Sequence, residues 1–473
     1  MKKYIYFFVV GAVCLLLSAT AYAEDLNNSD ANIIGHVLEK SSQEHLPYIT
    51  VSLKGTTIGT MTDATGHYFL KNLPEGDFIL QVSAVGYKAQ SRKVTLKRGK
   101  TLEENFELEE DLIALDGVVV TANRSETTRH MAPTLVNVMD FKLFENTNSA
   151  TLSQGLNFQP GVRVETNCQN CGFQQVRING LDGPYTQILI DSRPIFSALA
   201  GVYGLEQIPA NMIERVEVMR GGGSALFGSS AIAGTINIIT KEPLRNSGQL
   251  SHTITGVGGT SSWDNSTTMN ASLVTDNSKA GLYIFGQNRE RSGYDSDGDG
   301  FTELPKLKNQ TVGFRSFLKT SAYSKLTFEY HHLQEFRRGG DLLNRPPHEA
   351  NIAEQLRHSI NSGGLKFDYF SPDEKHRLSV YASAQHIGRD SYYGGNQDLN
   401  AYGATKDFTW VAGSQYIYHF DRCLFMPSDL TGGVEYNQDN LKDDMWGYNR
   451  YTNQKVRIAG AFFQNEWRNR QWS

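Results

Sequence analysis

Apolar and polar side chains alternate along the second half of the chain. Between residues 326 and 331, and again between 378 and 385, every second side chain is apolar. A period of two is that of a β-strand with two different faces. We count about ten such segments after residue 243. They predict an antiparallel sheet, apolar on one face and polar on the other, as in a transmembrane barrel, although a soluble sandwich has the same period.

Short and long connections alternate between these segments. The short ones lie at 276–278, 321–325, 371–374 and around Cys423, and the long ones at 291–308, 337–354, 389–406 and 441–455. In a transmembrane barrel, short turns face the periplasm and longer loops face the outside. Three aromatic residues of the long loops are predicted to contact a ligand, with a place in the interfacial aromatic girdle as the alternative: Tyr392, Tyr393 and Tyr402.

A glycine-rich stretch precedes the alternating segments. Residues 213–220 alternate charged and apolar side chains and predict a half-buried strand. Three glycines at 221–223 permit a turn, and the β-branched residues at 235–240 predict the next strand. A phosphate-binding loop is excluded here, because no lysine follows Gly228.

The sequence of this stretch, IERVEVMRGGGSALFGSSAIAGTINIIT, resembles the plug-domain signature of TonB-dependent outer-membrane receptors. The resemblance continues upstream through SQGLNFQPGVRVET and QVRINGLDG. It implies a small α+β plug, residues 129–243, inside a transmembrane barrel that begins at 244. It also implies that charges on the barrel wall hold four plug side chains, which would otherwise be ordinary solvated strand charges: Glu214, Arg215, Glu217 and Arg220.

The first 23 residues have the pattern of a secretory signal peptide. A basic start precedes an apolar core, and Ala21-Tyr22-Ala23 fits the small-x-small cleavage site. No later stretch approaches the ~18 to 20 apolar residues that a membrane helix needs. A membrane-spanning part would therefore be a barrel, and we expect the chain in the outer membrane of a Gram-negative bacterium.

Residues 24–110 contain short strands separated by turns, which predicts a β-sandwich. The wording GHVLE followed by LPYITVSLKGTTIGTMTDATGHYFLKNLPEGDFILQVSAVGYK resembles the carboxypeptidase-regulatory-like domain, a transthyretin-like fold. His36 and Glu39 spell the HxxE of a zinc carboxypeptidase, but two ligands on one strand make no complete metal site.

The linker at 111–128 is acidic and then apolar. A run of valines in a polar linker is either an edge strand or a strand offered to a partner. Its position resembles the TonB box, which implies strand addition to the periplasmic protein TonB, driven by the ExbB/ExbD motor. A linker strand packed on the plug is the alternative for these residues: Val118, Val119, Val120, Thr121 and Ala122.

The pair Cys168 and Cys171 forms an isolated CxxC. Export favours a disulfide, which would clamp a plug loop, and reduced thiols or a metal site remain open. In a long loop, a run of alternating carboxylates resembles the first half of an EF-hand. It predicts an optional Ca²⁺ site, with a plain acidic turn as the alternative, and these ligands: Asp295, Asp297, Asp299 and Glu303.

Composition and motifs narrow the function. A net charge of -5 argues against nucleic acid as a partner, and 348–352 lacks the second histidine of HExxH. We expect a mainly β receptor, not an enzyme, for energised uptake of a metal chelate such as a ferric siderophore, haem or cobalamin. Its partners would be TonB, outer-membrane lipid and that small ligand. Import of a glycan or peptide, or surface binding without transport, are the alternatives.

The number of strands raises one more expectation. Barrels of this family have about 22 strands, whereas about ten segments precede Ser473. An incomplete barrel leaves edge groups that lipid cannot satisfy. From the sequence alone we therefore expect residues 244–473 to be the N-terminal part of a barrel, in a fragment or a truncated product.

Overall fold

The computed structural model describes residues 29–84, 86–111, 118–121, 127–128, 132, 134–168, 172–194, 205–221, 224–228 and 231–467. The predicted signal peptide lies outside these residues. Within them, no helix combines the length and the apolar character needed to cross a bilayer.

The N-terminal domain is a sandwich of two four-stranded sheets, as predicted. Its strands are β1 (Ala31–Glu39), β2 (Thr50–Leu53), β3 (Gly59–Met61), β4 (His67–Leu73), β5 (Gly76–Ser83), β6 (Gln90–Leu96), β7 (Thr101–Glu103) and β8 (Phe106–Leu108). In one sheet, β1 pairs with β4 antiparallel and with β7 and β8 in parallel. The other sheet has the order β3-β2-β5-β6. Fully buried side chains from both sheets, among them Ile33, Val51 and Leu80, form the shared core.

A mixed sheet forms the centre of the plug. The plug elements are β9 (Val118–Val119), β10 (Thr127–Thr128), β11 (Val136–Asp140), α1 (Phe141–Asn146), α2 (Leu152–Leu156), β12 (Val162–Cys168), β13 (Phe173–Ile178), β14 (Thr186–Ile190), β15 (Ile213–Arg220), α3 (Ser224–Phe227) and β16 (Gly234–Thr240), with 3₁₀ turns at Gly183–Tyr185 and Ala210–Met212. The sheet order is β11-β15-β16-β14, with β14 parallel to β16. Both strands predicted around the glycine turn, β15 and β16, are confirmed.

Ten antiparallel strands follow in sequential order. They are β17 (Ser247–Val257), β18 (Ser262–Val274), β19 (Ala280–Arg291), β20 (Lys306–Ser321), β21 (Ser324–Gly340), β22 (Ile352–Phe370), β23 (His376–Gly395), β24 (Tyr402–Cys423), β25 (Met426–Met445) and β26 (Arg450–Trp467), with 3₁₀ turns at Pro347–Glu349 and Trp446–Tyr448. Two predicted loops are too long. Pairing between β23 and β24 continues to Tyr392↔Tyr402, so the loop predicted at 389–406 shortens to 396–401, and that at 441–455 shortens to 446–449.

The two faces of this sheet differ as the alternation predicted. One face packs on the plug and carries buried polar groups such as Gln287, Thr311 and Ser383. On the other face, apolar side chains such as Val380 and Val434 are exposed. An apolar outer face and a polar inner face are the pattern of a strand wall in lipid. We call this sheet the wall.

Candidate functional site

The segment predicted to bind TonB is folded into the plug. β9 pairs with β10 through only two residue pairs, Val119↔Thr127 and Val118↔Thr128. The side chains of Val119 and Thr121 are fully buried. Ala122 lies outside the described residues. In the described part, the segment therefore packs on the plug, which was the alternative prediction, and a ladder of only two residue pairs joins its backbone to another strand.

One carboxylate supplies most of the remaining hydrogen bonds of this segment. Glu217 Oε2 accepts from the backbone N–H of Val120 at 2.9 Å, from the N–H of Thr121 at 2.8 Å and from the Thr121 hydroxyl at 2.6 Å. Its Oε1 accepts from Arg215 Nε at 2.9 Å. Hydrogen bonds to an ionised acceptor are about twice as strong as neutral ones. We call Glu217 with residues 120 and 121 the clasp.

Asn237 extends the clasp toward the wall. Its Nδ2 donates to the Thr121 hydroxyl at 3.1 Å and to Ser192 Oγ at 3.0 Å, while its Oδ1 accepts from the Ser192 N–H at 2.9 Å. Ser192 and Asp191 are the central residues of a tight turn after β14, with φ of 65° and 47°. Two positive φ values in a two-residue turn are typical of type I′. This turn holds Asp191 and Arg193 against the wall.

The prediction that wall charges hold Glu217 is wrong. Glu217 is fully buried inside the plug, where its partners are Arg215 and the clasp backbone. Arg215 also binds Glu214 Oε1, at 3.1 Å, on its own strand. The Arg220 side chain lies beside Gly161 of the plug. The physical reason is position: β15 is an inner strand of the plug sheet, flanked by β11 and β16. The structure shows plug-to-wall ion pairs at other residues.

The first set of these ion pairs lies near the short turn between β20 and β21. The plug contributes Asp191 and Arg193, and the wall contributes Arg315 and Glu329; we call these four the turn-end cluster. Arg315 Nη1 binds Asp191, and it lies 3.1 Å from Glu329 Oε2. Arg193 binds Glu329 and donates to Ser383 Oγ at 3.0 Å. Burial alone would raise the pKa of Asp191, but Arg315 and Arg193 lower it to about 2.

The second set lies near the long loops. Its plug member is Glu206, and its wall members are Arg289, Arg291, Arg337 and two carboxylates; we call these six the loop-end cluster. Glu206 Oε2 lies 2.7 Å from Arg337 Nη1, and its Oε1 lies 3.4 Å from Arg289 and 3.5 Å from Arg291. Burial raises the pKa of Glu206, but the three guanidinium groups outweigh it and lower the pKa. The two wall carboxylates are Asp264, 2.6 Å from Arg289, and Glu335, 2.8 Å from Arg337.

The predicted ligand contacts lie close together at the loop end. Tyr392 is fully buried among alanines, and its hydroxyl donates to the Asp398 carbonyl at 2.9 Å. The ligand-contact prediction is therefore wrong for Tyr392, which is a packing residue. Tyr402 is half-buried and pairs with His348 Nδ1 at 2.7 Å. The carbonyl of half-buried Tyr393 accepts from the Tyr448 hydroxyl at 2.6 Å. For Tyr393 and Tyr402, ligand contact stays a prediction.

The cysteine and calcium predictions both stay predictions. Cys171 lies outside the described residues, so the disulfide stays a prediction; Cys168 Sγ donates to Glu354 Oε2 of the wall at 2.9 Å. The structure brings the four predicted calcium ligands together, with one ligand atom of each within 4.8 Å of the others: Asp295, Asp297, Asp299 and Glu303. Backbone N–H groups of Gly298 and Gly300 lower the pKa of Asp295.

Comparison with known proteins explains this architecture. The CarboxypepD_reg-like domain family matches residues 33–120, and the TonB-dependent receptor plug domain family matches residues 128–235. The chain carries a TonB-dependent receptor plug. The match places the clasp, the type I′ turn and Glu206 within or beside the plug, against a wall that follows it in the chain.

Two related proteins are similar to about a quarter of the chain. The vitamin B12 transporter BtuB of Vibrio vulnificus strain CMCP6 is 38% identical over 125 residues, which are 26% of this chain and 20% of that protein. BtuB of Vibrio cholerae O395 is 33% identical over 124 residues, again 20% of its length. The matched region thus spans only about a fifth of these relatives.

Solved structures share the fold over more of the chain. The siderophore receptor PirA of Acinetobacter baumannii is 19% identical, covers 71% of this chain and 55% of its own, and has a TM-score of 0.61. FpvA of P. aeruginosa with a bound pyoverdine is 12% identical, covers 77% and 54%, and has a TM-score of 0.62. At 19% and 12% identity, these likenesses show the fold alone. BtuB is named as a vitamin B12 transporter and PirA as a siderophore receptor.

Proposed function

We propose that this chain serves TonB-dependent uptake of a small metal chelate across the outer membrane. The observation that carries the proposal is the clasp. Residues 118–121 have a ladder of only two residue pairs, and two of their backbone donors are bound by Glu217 instead of a neighbouring strand. A strand held in this way can leave the plug and pair with a partner, because a partner strand offers equivalent acceptors.

The partner we propose is TonB, coupled to an ExbB/ExbD motor in the inner membrane. The plug would be displaced by a pull on residues 118–121. A metal chelate is the proposed substrate because BtuB is named as a vitamin B12 transporter and PirA as a siderophore receptor. Half-buried Tyr393 and Tyr402, at the loop end, are the proposed contacts for it.

A proline in the segment tests the proposal. In cells that lack the native gene, Val119→Pro removes a backbone donor that strand addition needs, so uptake of labelled cobalamin or ferric siderophore should be abolished. Val119→Ala, which keeps the donor, should retain uptake. Binding of the same ligand to de-energised cells controls for folding and should be equal in both variants. Uptake by Val119→Pro at the wild-type rate would exclude this segment as the TonB site.

A change in the clasp gives the opposite result. Glu217→Gln removes the charge from an acceptor of three hydrogen bonds, and a hydrogen bond to a charged group contributes about 1.5–3 kcal/mol. The segment should therefore open at least about tenfold more often. Amide hydrogen exchange at 118–121 measures this, with Glu214→Gln as the matched control on the same strand. Equal exchange in both variants would contradict the clasp.

We also propose that the acidic loop binds Ca²⁺ and orders the loop. Its support is the convergence of four carboxylates onto one small volume. Oxygen ligands of this type suit Ca²⁺. Calorimetric titration with CaCl₂ should give a heat that the double variant Asp297→Ala, Asp299→Ala lacks. Identical titrations would leave only an acidic turn.

A further inference from the structure

Three histidines meet on the surface of the N-terminal domain. Residues 33–120 contain only three histidines, and the fold brings all of them together: His36, His45 and His67. His36 and His67 are directly opposite each other on β1 and β4. The chain then returns beside β1 through the bridge Leu38↔His45. The ring centroids are 5.4 Å (36–45), 5.8 Å (36–67) and 5.0 Å (45–67) apart.

These separations fit three imidazoles around one metal ion. A Zn²⁺–N bond is about 2.0–2.1 Å long and the ring centre lies roughly 1.1 Å beyond the nitrogen, so tetrahedral angles place ring centres about 5.2 Å apart. All three observed separations lie within 0.6 Å of that value. Rotation of the rings about their Cβ–Cγ bonds is needed to direct one nitrogen of each ring to a common centre. His45 and His67 are exposed and His36 is half-buried, so an ion can reach the rings.

A chain of two hydrogen bonds fixes which nitrogen of the His67 ring carries the proton. The Thr65 hydroxyl donates to Asp63 Oδ1 at 2.7 Å and lies 3.1 Å from His67 Nδ1. A hydroxyl has one proton, so Thr65 accepts from His67 Nδ1–H, which leaves the Nε2 lone pair available. Metal-binding histidines characteristically donate their second ring N–H to such a partner.

Gly66 provides space for a second ring. A Cβ at this position would lie 2.8 Å from His45 Cβ and 3.0 Å from His45 Nδ1, and the backbone φ of 77° favours glycine in any case. The HxxE pattern had suggested His36 with Glu39, but residues three apart on a strand point to opposite faces. The partners of His36 come from a neighbouring strand and a returning loop instead.

We propose that His36, His45 and His67 form a binding site for a divalent transition-metal ion, with Zn²⁺ as the reference ion and a water in the fourth position. Imidazole is a ligand that Zn²⁺ prefers. This site is separate from the acidic loop, whose oxygen ligands suit Ca²⁺. It lies in the N-terminal domain, outside the plug and the wall, so a test of this site does not depend on the uptake proposal.

Calorimetry of the full-length chain with ZnCl₂ tests the site, in buffer with Ca²⁺ to fill the acidic loop. We expect one ion per chain and at least a tenfold weaker affinity in each of His36→Gln, His45→Gln and His67→Gln. His252→Gln is the matched control, because His252 is also exposed and also pairs with a threonine hydroxyl, Thr267 Oγ1 at 2.8 Å. It should bind Zn²⁺ like the wild type. The same isotherm in all five proteins would overturn the proposal.

Two further measurements separate loss of the site from loss of the fold. Thr65→Ala keeps all three rings and removes only this chain of hydrogen bonds, so it should weaken Zn²⁺ binding by less than the histidine variants. Co²⁺ in place of Zn²⁺ should give the visible absorption of a tetrahedral site in the wild type and in His252→Gln. A wild-type Co²⁺ spectrum without tetrahedral bands would refute three-histidine ligation, whatever the stability of the variants.

Discussion

The turn-end and loop-end clusters join the same plug to the same wall by different means. In the turn-end cluster, the plug contributes one acid and one base, Asp191 and Arg193, and the wall contributes Arg315 and Glu329. Beside this cluster, Glu242 of the plug lies 2.7 Å from Lys325 Nζ of the wall. In the loop-end cluster, Glu206 is the one charged side chain from the described part of the plug, and it faces three wall guanidinium groups. Loss of one plug residue leaves part of the first cluster in place, whereas loss of Glu206 removes every plug charge from the second.

The two clusters also differ in what lies behind them. The turn that carries Asp191 is hydrogen-bonded through Ser192 to Asn237, and Asn237 is bonded to Thr121 of the clasp. The turn-end cluster is thus two residues away from the segment proposed to bind TonB. A pull on that segment would strain this cluster first. The loop-end cluster lies near the opposite ends of the wall strands, where a ligand from outside would arrive.

The largest effect should come from Glu206→Gln. This change leaves Arg289, Arg291 and Arg337 with only two wall carboxylates, and removal of one partner from a buried ion pair costs about 3–5 kcal/mol. Hydrogen exchange of residues 205–221 should rise more than a hundredfold, since each 1.4 kcal/mol is a factor of about ten. Glu290→Gln is the control, because its pair with Lys308 is half-exposed and such pairs contribute less than about 1 kcal/mol. Equal exchange in the two variants would remove the proposed asymmetry.

Asp191→Asn should have a smaller effect on docking, about 2–3 kcal/mol, because Glu329 remains to neutralise Arg315. Unlike Glu206→Gln, it should also raise exchange at 118–121, through Ser192 and Asn237. Hydrogen exchange of both segments in both variants distinguishes the clusters. If Glu206→Gln opened residues 118–121 as much as Asp191→Asn did, the path from turn to clasp would have no special role.

Asp191 should also make the protection of the plug against hydrogen exchange depend on pH. The pKa of Asp191 is lowered from an ordinary value of 3.8 to about 2. A carboxyl whose pKa is depressed in the folded state stabilises that state above its ordinary pKa and loses the contribution as pH falls through the lowered one. Plug protection in the wild type should therefore fall between about pH 4 and 2. Asp191→Asn should lack this part of the pH dependence. If protection fell with pH in the same way in both proteins, Asp191 would not be its source.

Much of the fold could be predicted from the sequence, because it depends on local patterns. The alternation after residue 243 gave ten strands and their polar face, and β-branched residues after a glycine turn gave β16. The clusters could not be predicted in this way. The type I′ turn at Asp191-Ser192 contains no glycine, so it lacks the usual signal of such a turn. The plug-to-wall ion pairs were instead predicted for the charged residues of β15, but this strand lies inside the plug sheet.

Site residues whose contacts depend on long-range pairing also could not be predicted from the sequence. Glu206 and Arg337 are 131 positions apart and meet only because the plug packs on the wall. Tyr392 has the aromatic character of a ligand contact, but the continued pairing of β23 with β24 buries it. By contrast, the acidic loop could be predicted, because its four carboxylates lie within nine residues of each other.

The smallest predicted effect concerns the link itself. Asn237→Ala removes the hydrogen bonds to Thr121 and Ser192 without a change of charge, so it should loosen residues 118–121 by about 1–2 kcal/mol and leave residues 205–221 protected. Gln187→Ala on the neighbouring strand β14, where the amide donates only locally to the Ile188 carbonyl at 3.2 Å, is the control and should leave both segments unchanged.

A double-mutant cycle decides whether Asn237 transmits the effect of Asp191. Residues that act through one network show non-additive free energies, whereas independent sites add within about 0.5 kcal/mol. If the path runs from Asp191 through Ser192 and Asn237 to Thr121, then Asp191→Asn should not raise exchange at 118–121 once Asn237→Ala is present. Its effect on wall docking should persist in that background, because Arg315 contacts Asp191 directly. Additive effects at 118–121 would show that the turn-end cluster and the clasp respond separately, and the difference between the two clusters would then be one of charge alone.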